Sequence, residues 1–466
     1  MTRALPAESM TPLEGLASQT LAPTQSGDSN VVTLQAGERL TSARSGPLYC
    51  PYHNRWGEVA YRLEGHFEHR PLTIHASSTS GSPVIEDSWG RFVGVLGFSS
   101  DQPEAVRFIA ERDRLSVVND GTEPIDLWVS DESAASGQHW RHYNRALAKR
   151  LPSPTPGPEF WEQPEYCTWV EQKWCTMTTG RPGGPKMALS DEFIDQYIDR
   201  IAQMNLPTGK LTIDAGWQND SSSYGDWLPN PDRFPDLGRT AERIADAGFV
   251  PGLWLAPVWI HPDSEAAGLW PHAVGEKIAP SNEDAPNAGG WNYWEPIEEM
   301  SERLTAVFAR LYGQGFRKFK LDMSYARMDL MIRLHERIYK AIKSVAPDAE
   351  VETHQPNPFF AVHTDVVRTN DVLCHDRQDW RRLTTDHFEV SERSAFGKVI
   401  NLDHIGGNDP SVSEADFLDH LAMYQQAVGY PVVSLLPDRV GDAAIEATRE
   451  LMWSRVHEPN AVSRFF

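Results

Sequence analysis

The chain has 466 residues, 40% of them hydrophobic and 10% aromatic, and a formal net charge of −22. That length exceeds one small domain and suits a large barrel with one further module. Such acidity argues against nucleic acid or an anionic membrane as partner, because phosphate binding needs a basic face. No apolar run approaches the roughly 18 residues that span a bilayer.

Residues 1–30 are rich in Ala, Ser, Thr and Pro. They lack a continuous apolar core, so they read as a disordered leader and not as a secretory signal. From 31 to 150, short alternating runs are divided by turn residues, as in Val31-Val32-Thr33-Leu34, Val59–Leu63, Leu72–His75 and Phe92–Leu96. Leu115–Val118 and Ile125–Val129 continue the series, and Asn119-Asp120-Gly121 between them reads as a hairpin-like turn. This spacing predicts an antiparallel β-sandwich domain. Residues 151–164, opening with the run Leu151 to Pro158, form a Pro-rich linker.

Beyond the linker, from 165 to 466, strand and helix patterns alternate. Strands are expected at 168–172, 210–214, 250–256, 316–322, 349–354, 366–371, 398–403 and 431–436. Helices are expected near 190–204, 238–247, 297–313, 328–345, 380–394, 413–427 and 442–456. The connection 355–365 is short and irregular. Eight strands in βα alternation are what a (β/α)8 TIM barrel requires, and no glycine-rich phosphate loop favours an open doubly-wound sheet.

Four cysteines stand at 50, 167, 175 and 374 without a C-x-x-C pair. They read as buried free thiols of a reducing cytoplasm, with a Cys167–Cys175 disulfide as the lesser alternative. His354 near Glu352 and His404 beside Asp403 match no spaced metal-ligand motif, so neither a metal nor another cofactor is expected.

Phe316 to Asp322 alternates apolar and basic residues and ends in a carboxylate. Charges at the C-terminal tips of barrel strands sit where such folds keep their chemistry. Other polar or aromatic residues fall at strand ends too: Asp214 and Trp217, Trp254, Lys320, Glu352 and His354, Arg368 and Asp371, Asp403 and His404, and Asp438. Aromatic faces stack on the C–H surface of a sugar and carboxylates take its hydroxyls. Hydrolysis of a glycosidic bond needs two carboxyl groups flanking it.

Four ordered blocks carry a resemblance: Ile213-Asp214-Ala215-Gly216-Trp217, then Gly225-Asp226-Trp227 with Arg233-Phe234-Pro235, then Gly248 to Leu255, then Lys320-Leu321-Asp322-Met323. Over roughly 165–440 the chain resembles the family 36 α-galactosidases, the melibiases. The resemblance implies a retaining exo-acting α-glycosidase that takes a small-molecule or oligosaccharide α-glycoside. Asp322 would be the nucleophile. Lys320 would bond a sugar hydroxyl and keep Asp322 ionised. Asp371, in Val367-Arg368-Thr369-Asn370-Asp371, would be the acid/base, with Asp376 as the fallback, and Arg368 would bind the sugar 2-hydroxyl.

The chain also departs from that family pattern. Ala215 replaces a second acid, Glu352-Thr353-His354-Gln355-Pro356 replaces a Cys-Ser-Gly-Gly block, and no C-terminal β-domain is expected after Phe466. These changes leave an α-glucosidase, a transglycosylase or a catalytically silent sugar-binding protein as alternatives. Trp217 and Trp254 face the substrate or serve as core aromatics. Asp226 and Trp227 lie over the substrate or only pack their loop. His404 contacts ligand or supports residues that do. A homo-oligomer is compatible with the sequence.

Overall fold

The computed structural model describes residues 18–20 and 30–465, except 44–47, 54–58, 64–70, 80, 88–90, 99–101, 131–136, 153, 155, 181–183, 220, 279–289, 324–327, 355–356, 370–378 and 463–464. It divides into two compact units, one drawn from Met1–Cys50, Arg62–Ser78 and Pro83–His139, the other from Pro51–Tyr61, Thr79–Ser82 and Trp140–Phe466. Among the described residues no helix is long and apolar enough to cross a membrane.

The N-terminal β domain holds two sheets. One runs in the order Ser18–Thr20, Arg39–Ala43, Arg114–Asn119, Val106–Ala110, Leu72–His75. The other runs Val31–Leu34, Ile125–Ser130, Phe92–Val95, Val84–Asp87, Leu48–His53, Val59–Leu63. From Val31–Leu34 to Leu48–His53 and within the first sheet, neighbours pair antiparallel, except that Ser18–Thr20 runs parallel to Arg39–Ala43. Val106–Ala110 alternates buried and half-buried residues, the mark of a sheet covered on one face.

The expected hairpin at Asn119–Gly121 is instead a crossing between sheets. Arg114–Asn119 pairs with Val106–Ala110, while Ile125–Ser130 lies in the other sheet. The Asn119 side chain closes the turn itself. Its Oδ1 accepts from Gly121 N (3.0 Å), and its Nδ2 donates to Leu34 O (3.1 Å) and Glu123 O (2.8 Å). A side chain that satisfies the turn's backbone groups frees the strands from pairing with each other.

The second unit is a closed, all-parallel eight-stranded barrel. Its strands are β1 (Glu165–Cys167), β2 (Lys210–Ile213), β3 (Val250–Leu255), β4 (Lys318–Leu321), β5 (Glu350–Thr353), β6 (Val366–Arg368), β7 (Val399–His404) and β8 (Tyr430–Val433). β1 pairs with β8 to close the ring. Seven of the eight strands fall inside or within a residue of the expected stretches. The first was misplaced, because Trp169–Thr179 is a helix. Thr168 turns the chain there, accepting Gln172 N at its carbonyl (2.9 Å) while its hydroxyl donates to Gln172 Oε1 (2.6 Å). A small sheet of Trp259–Ile260, Asn292–Trp294 and Val274–Lys277 follows β3, and nothing in the sequence reading anticipated it.

The period-two pattern of β4 explains its two faces. Phe319 points outward onto Phe308 of the helix Glu298–Gly313, ring centroids 4.9 Å apart. Lys318 points into the barrel, where its ammonium meets Glu165, Glu350 (3.3 Å) and Glu352 (2.6 Å). Lys210 adds Glu350 (3.0 Å) and the face of Tyr430, 3.5 Å from the ring centroid. Asn401 Nδ2 donates to Glu165 (3.1 Å) and Glu352 (2.8 Å), and the Tyr430 hydroxyl to Glu352 (3.0 Å). Gly252 of β3 leaves room for this layer: a Cβ there would lie 2.7 Å from Thr212 Oγ1 and 3.3 Å from the Lys318 stem.

Burial pulls the Lys210 ammonium down to about 8. The same burial acts on Lys318, but the three glutamates more than offset it and hold it charged. Removing one member leaves the others buried without their partner. Lys318→Met should therefore lower unfolding free energy by about 3–5 kcal/mol, read from urea midpoints. An unchanged midpoint would show that the layer does not depend on this lysine.

Candidate active site

Asp322 follows the last residue of β4, its N–H donating to Leu255 O (2.9 Å) as the ladder's last bond. Met323 then takes φ +64°, which ends the strand and turns its N–H back onto Asp322 Oδ1 (2.8 Å). The other oxygen, Oδ2, accepts from the indole N–H of Trp254 (3.0 Å), at the end of neighbouring β3. Arg368 Nη2 and His354 Nδ1 each lie 3.4 Å from Oδ1, reaching in from β6 and from the end of β5. The side chain keeps 18% exposure, so a ligand can reach it. Burial pushes its carboxyl up, but Arg368, His354, Lys320 and the Trp254 N–H outweigh that and hold it below the usual carboxylate range.

Beside it lies a second buried cluster. Lys320 Nζ donates to Asp214 Oδ2 (2.8 Å) and lies 3.5 Å from Cys167 Sγ, whose thiol donates to the same oxygen (3.2 Å). Thr168 Oγ1 accepts from Asp214 N (2.9 Å). On the far side, Arg368 Nη1 pairs with Asp403 Oδ2 (2.7 Å). Asp403 has φ +65° at a register shift in β7, and its Oδ1 accepts from His404 N (2.9 Å). Strained backbone in a non-glycine residue persists where its surroundings over-determine it, and this ion pair is one such constraint.

The expected residues therefore separate. Asp322, Trp254, His354 and Arg368 converge directly, while Asp214 with Lys320, and His404 with Asp403, flank them. Lys320 bonds Asp214 and acts on Asp322 only through its charge. Glu352 is not at the mouth: it belongs to the ionic layer below, with Arg368 Nε 3.8 Å from its Oε1. Trp217 and Trp227 are fully buried, stacked 6.3 Å apart behind Trp254. Asp226 has its acceptors taken by Glu265 N (2.7 Å), Ala266 N (3.0 Å) and Arg303 (2.7 Å), so it fastens loops. Asp438 pairs with Arg200. Asp371 and its fallback Asp376 lie outside the described residues. Cys167, Asp403 and Lys186 complete the surroundings. Cys167 ends β1, a position open to a sequence reading had that strand been placed correctly. Lys186, on the loop after the first barrel helix, carried no signal.

Cys50, Cys167 and Cys175 are free thiols, which sets aside the Cys167–Cys175 disulfide. Among the described residues no group of three or more His, Cys, Asp or Glu is placed to hold a metal.

No family model matches the chain. Local matches join it to a probable α-galactosidase G of Aspergillus terreus (33% identity over 82 residues, 14% of this chain and 11% of the relative) and an Escherichia coli α-galactosidase (28% over 85 residues, 17% and 12%). The match thus spans about a tenth of these curated relatives. Structural likeness is broader. An α-galactosidase of Thermus thermophilus, solved with p-nitrophenyl α-D-galactopyranoside, superposes with TM-score 0.62 at 15% identity over 90% of this chain and 91% of its own. With stachyose bound it gives TM-score 0.63 at 15% identity over 91% and 97%. The family 36 α-galactosidase AgaA of Geobacillus stearothermophilus gives 0.56 at 13% identity over 92% and 66%. The chain has the family 36 α-galactosidase fold.

Because Asp322 is depressed in the folded state, the stability it adds is complete above the ordinary aspartate range and is lost as pH falls through its lower folded value. Arg368→Met removes its strongest attractive neighbour. The Asp322 titration, followed by carbon-13 NMR of labelled aspartate, should then move upward. A stationary titration would mean that Arg368 does not hold the carboxylate.

Proposed function

We propose that the chain is a retaining, exo-acting α-glycosidase that removes a terminal α-linked sugar, with α-galactosides as the first substrate class. The observation that carries this reading is the Asp322 carboxylate at the tip of β4, kept ionised by Arg368 and His354 and oriented by the Trp254 N–H. Support for the class of substrate comes from the galactosides bound by proteins of the same fold.

In this reading the ionised Asp322 oxygen attacks the anomeric carbon as the aglycone oxygen departs. Asp371, three residues after β6, donates the proton to that oxygen. The resulting glycosyl ester is then opened by water, which gives its proton to Asp371, and Asp322 leaves as a carboxylate. Arg368 and His354 bear on both steps, since they favour the charged form of Asp322 that attacks first and departs last. A cytoplasmic site of action accords with the free thiols of Cys50, Cys167 and Cys175 among the described residues.

Ala215 supports a second reading, an α-glucosidase or transglycosylase on the same scaffold. Its buried methyl, next to Asp214, offers no bond to a distal hydroxyl. Matched α-galactosides and α-glucosides, compared by kcat/KM, distinguish the two.

Asp322→Ala should reduce kcat on p-nitrophenyl α-D-galactopyranoside by about 10⁴-fold, with azide restoring part of the turnover as β-galactosyl azide. Wild-type-like turnover in that variant would exclude Asp322 as nucleophile.

A further inference from the structure

Lys186 stands on a segment held against Ala215 and Gly216, the two residues that follow Asp214. Two side chains clamp its backbone there. Gln172 Nε2 donates to both Pro185 O (3.3 Å) and Ala215 O (3.0 Å). Arg233 donates to both Lys186 O (2.9 Å) and Gly216 O (2.7 Å). Gly216, at φ +124°, admits this approach, since a Cβ on it would lie 2.7 Å from Lys186 O. The segment bearing Lys186 is therefore fixed to the end of β2 by four hydrogen bonds.

The ammonium itself is served differently from the cations of Lys320 and Arg368. Lys320 has Asp214 at 2.8 Å, and Arg368 has Asp403 at 2.7 Å. Among the described residues Lys186 has no carboxylate within ion-pair distance. Asp214 acts on it only through space, both carboxylate oxygens already engaged, Oδ2 by Lys320 and Cys167 and Oδ1 by Ala215 N. The Lys186 Nζ lies 6.0 Å from the centroid of the Tyr224 ring. Tyr224 in turn packs edge-on to Trp254 (6.5 Å), whose N–H holds Asp322. An aromatic wall thus runs from the reacting carboxylate to a part-buried cation. A desolvated ammonium without a counter-ion is costly, and an anionic ligand group is what relieves it.

We propose that the site takes a terminal α-linked sugar bearing an anionic group, a carboxylate or sulfate ester, on the part of the ring remote from the scissile bond, and that Lys186 pairs with that group. This rests on the reading of Asp322 as the residue facing the anomeric carbon. Ala215, the methyl beside the clamp, fits the same ligand, because an acid at that position would repel it.

The test measures kcat/KM for p-nitrophenyl α-D-galactopyranoside, the matching α-D-galacturonide and the 6-sulfated galactoside, in wild type and in Lys186→Met and Lys186→Arg. The wild type should favour one of the anionic sugars. Lys186→Met should cut the ratio of anionic to neutral kcat/KM by about tenfold to a hundredfold, and Lys186→Arg should keep most of it. Which anionic sugar is preferred separates carboxylate from sulfate. A wild-type preference for the neutral sugar, or a ratio that Lys186→Met leaves unchanged, overturns the proposal. Should no glycoside be cleaved, the hydrolase reading fails by itself, and calorimetry with D-galacturonic acid, D-galactose 6-sulfate and D-galactose then decides. Tighter binding of an acidic sugar that Lys186→Met abolishes upholds the Lys186 site, and equal or absent binding overturns it.

Discussion

Arg368 is where the two polar layers of the barrel meet. Its guanidinium pairs with Asp403, leans on Asp322 and comes within 3.8 Å of Glu352. Glu352 is tied in turn to Lys318, Asn401 and Tyr430, so the guanidinium beside Asp322 is also anchored to charges buried below it. Bidentate geometry suits an arginine to this task, since its fork can serve acids on different strands at once. Without the layer beneath, the residues at the mouth would have no fixed reference.

That arrangement explains why a barrel so polar inside stays closed. Interior positions of such barrels usually carry branched apolar side chains, yet here two lysines and three glutamates share the space. Each charge is compensated by neighbours across the ring, from β1, β2, β4 and β5, with Asn401 and Tyr430 from β7 and β8 bonding the remaining oxygens. Partners on opposite strands favour the closed ring over an open sheet, because an opened barrel would leave buried ions unpaired.

Much of the barrel was legible because its signals are local. Alternation along 316–322 and the 3.6-residue periodicity of 328–345 need no knowledge of distant partners. Asp322 was legible for the same reason: it stands at the end of an alternating run. Glu352 was misread because Glu350 and Glu352 alternate as a strand-end pair would, and only Lys318 and Asn401, from other strands, reveal which way they face. Asp226 stayed open between substrate and loop packing for a like reason, since its partners are Arg303 and a helix N-terminus about forty residues on. The first strand was misplaced by two equal local claims, β-forming Thr168-Trp169-Val170 against a helix that Thr168 itself begins. Asn119-Asp120-Gly121 has a turn's composition whether the next strand pairs back or crosses over.

The fastening at Asp226 has a consequence for how this scaffold can diversify. The loop after β2 carries Asp226, while the insertion after β3 supplies Glu265, and the helix leading to β4 supplies Arg303. Two connections, β2 to β3 and β3 to β4, are thus pinned at a single carboxylate, the second at two separate points, and Arg310 adds a bond to Trp227 O (2.7 Å). Exchange of one connection for a homologous segment of different length would unseat the other. Variation on this side of the rim must therefore be inherited as a block, whereas the opposite rim carries no such obligation through Asp226.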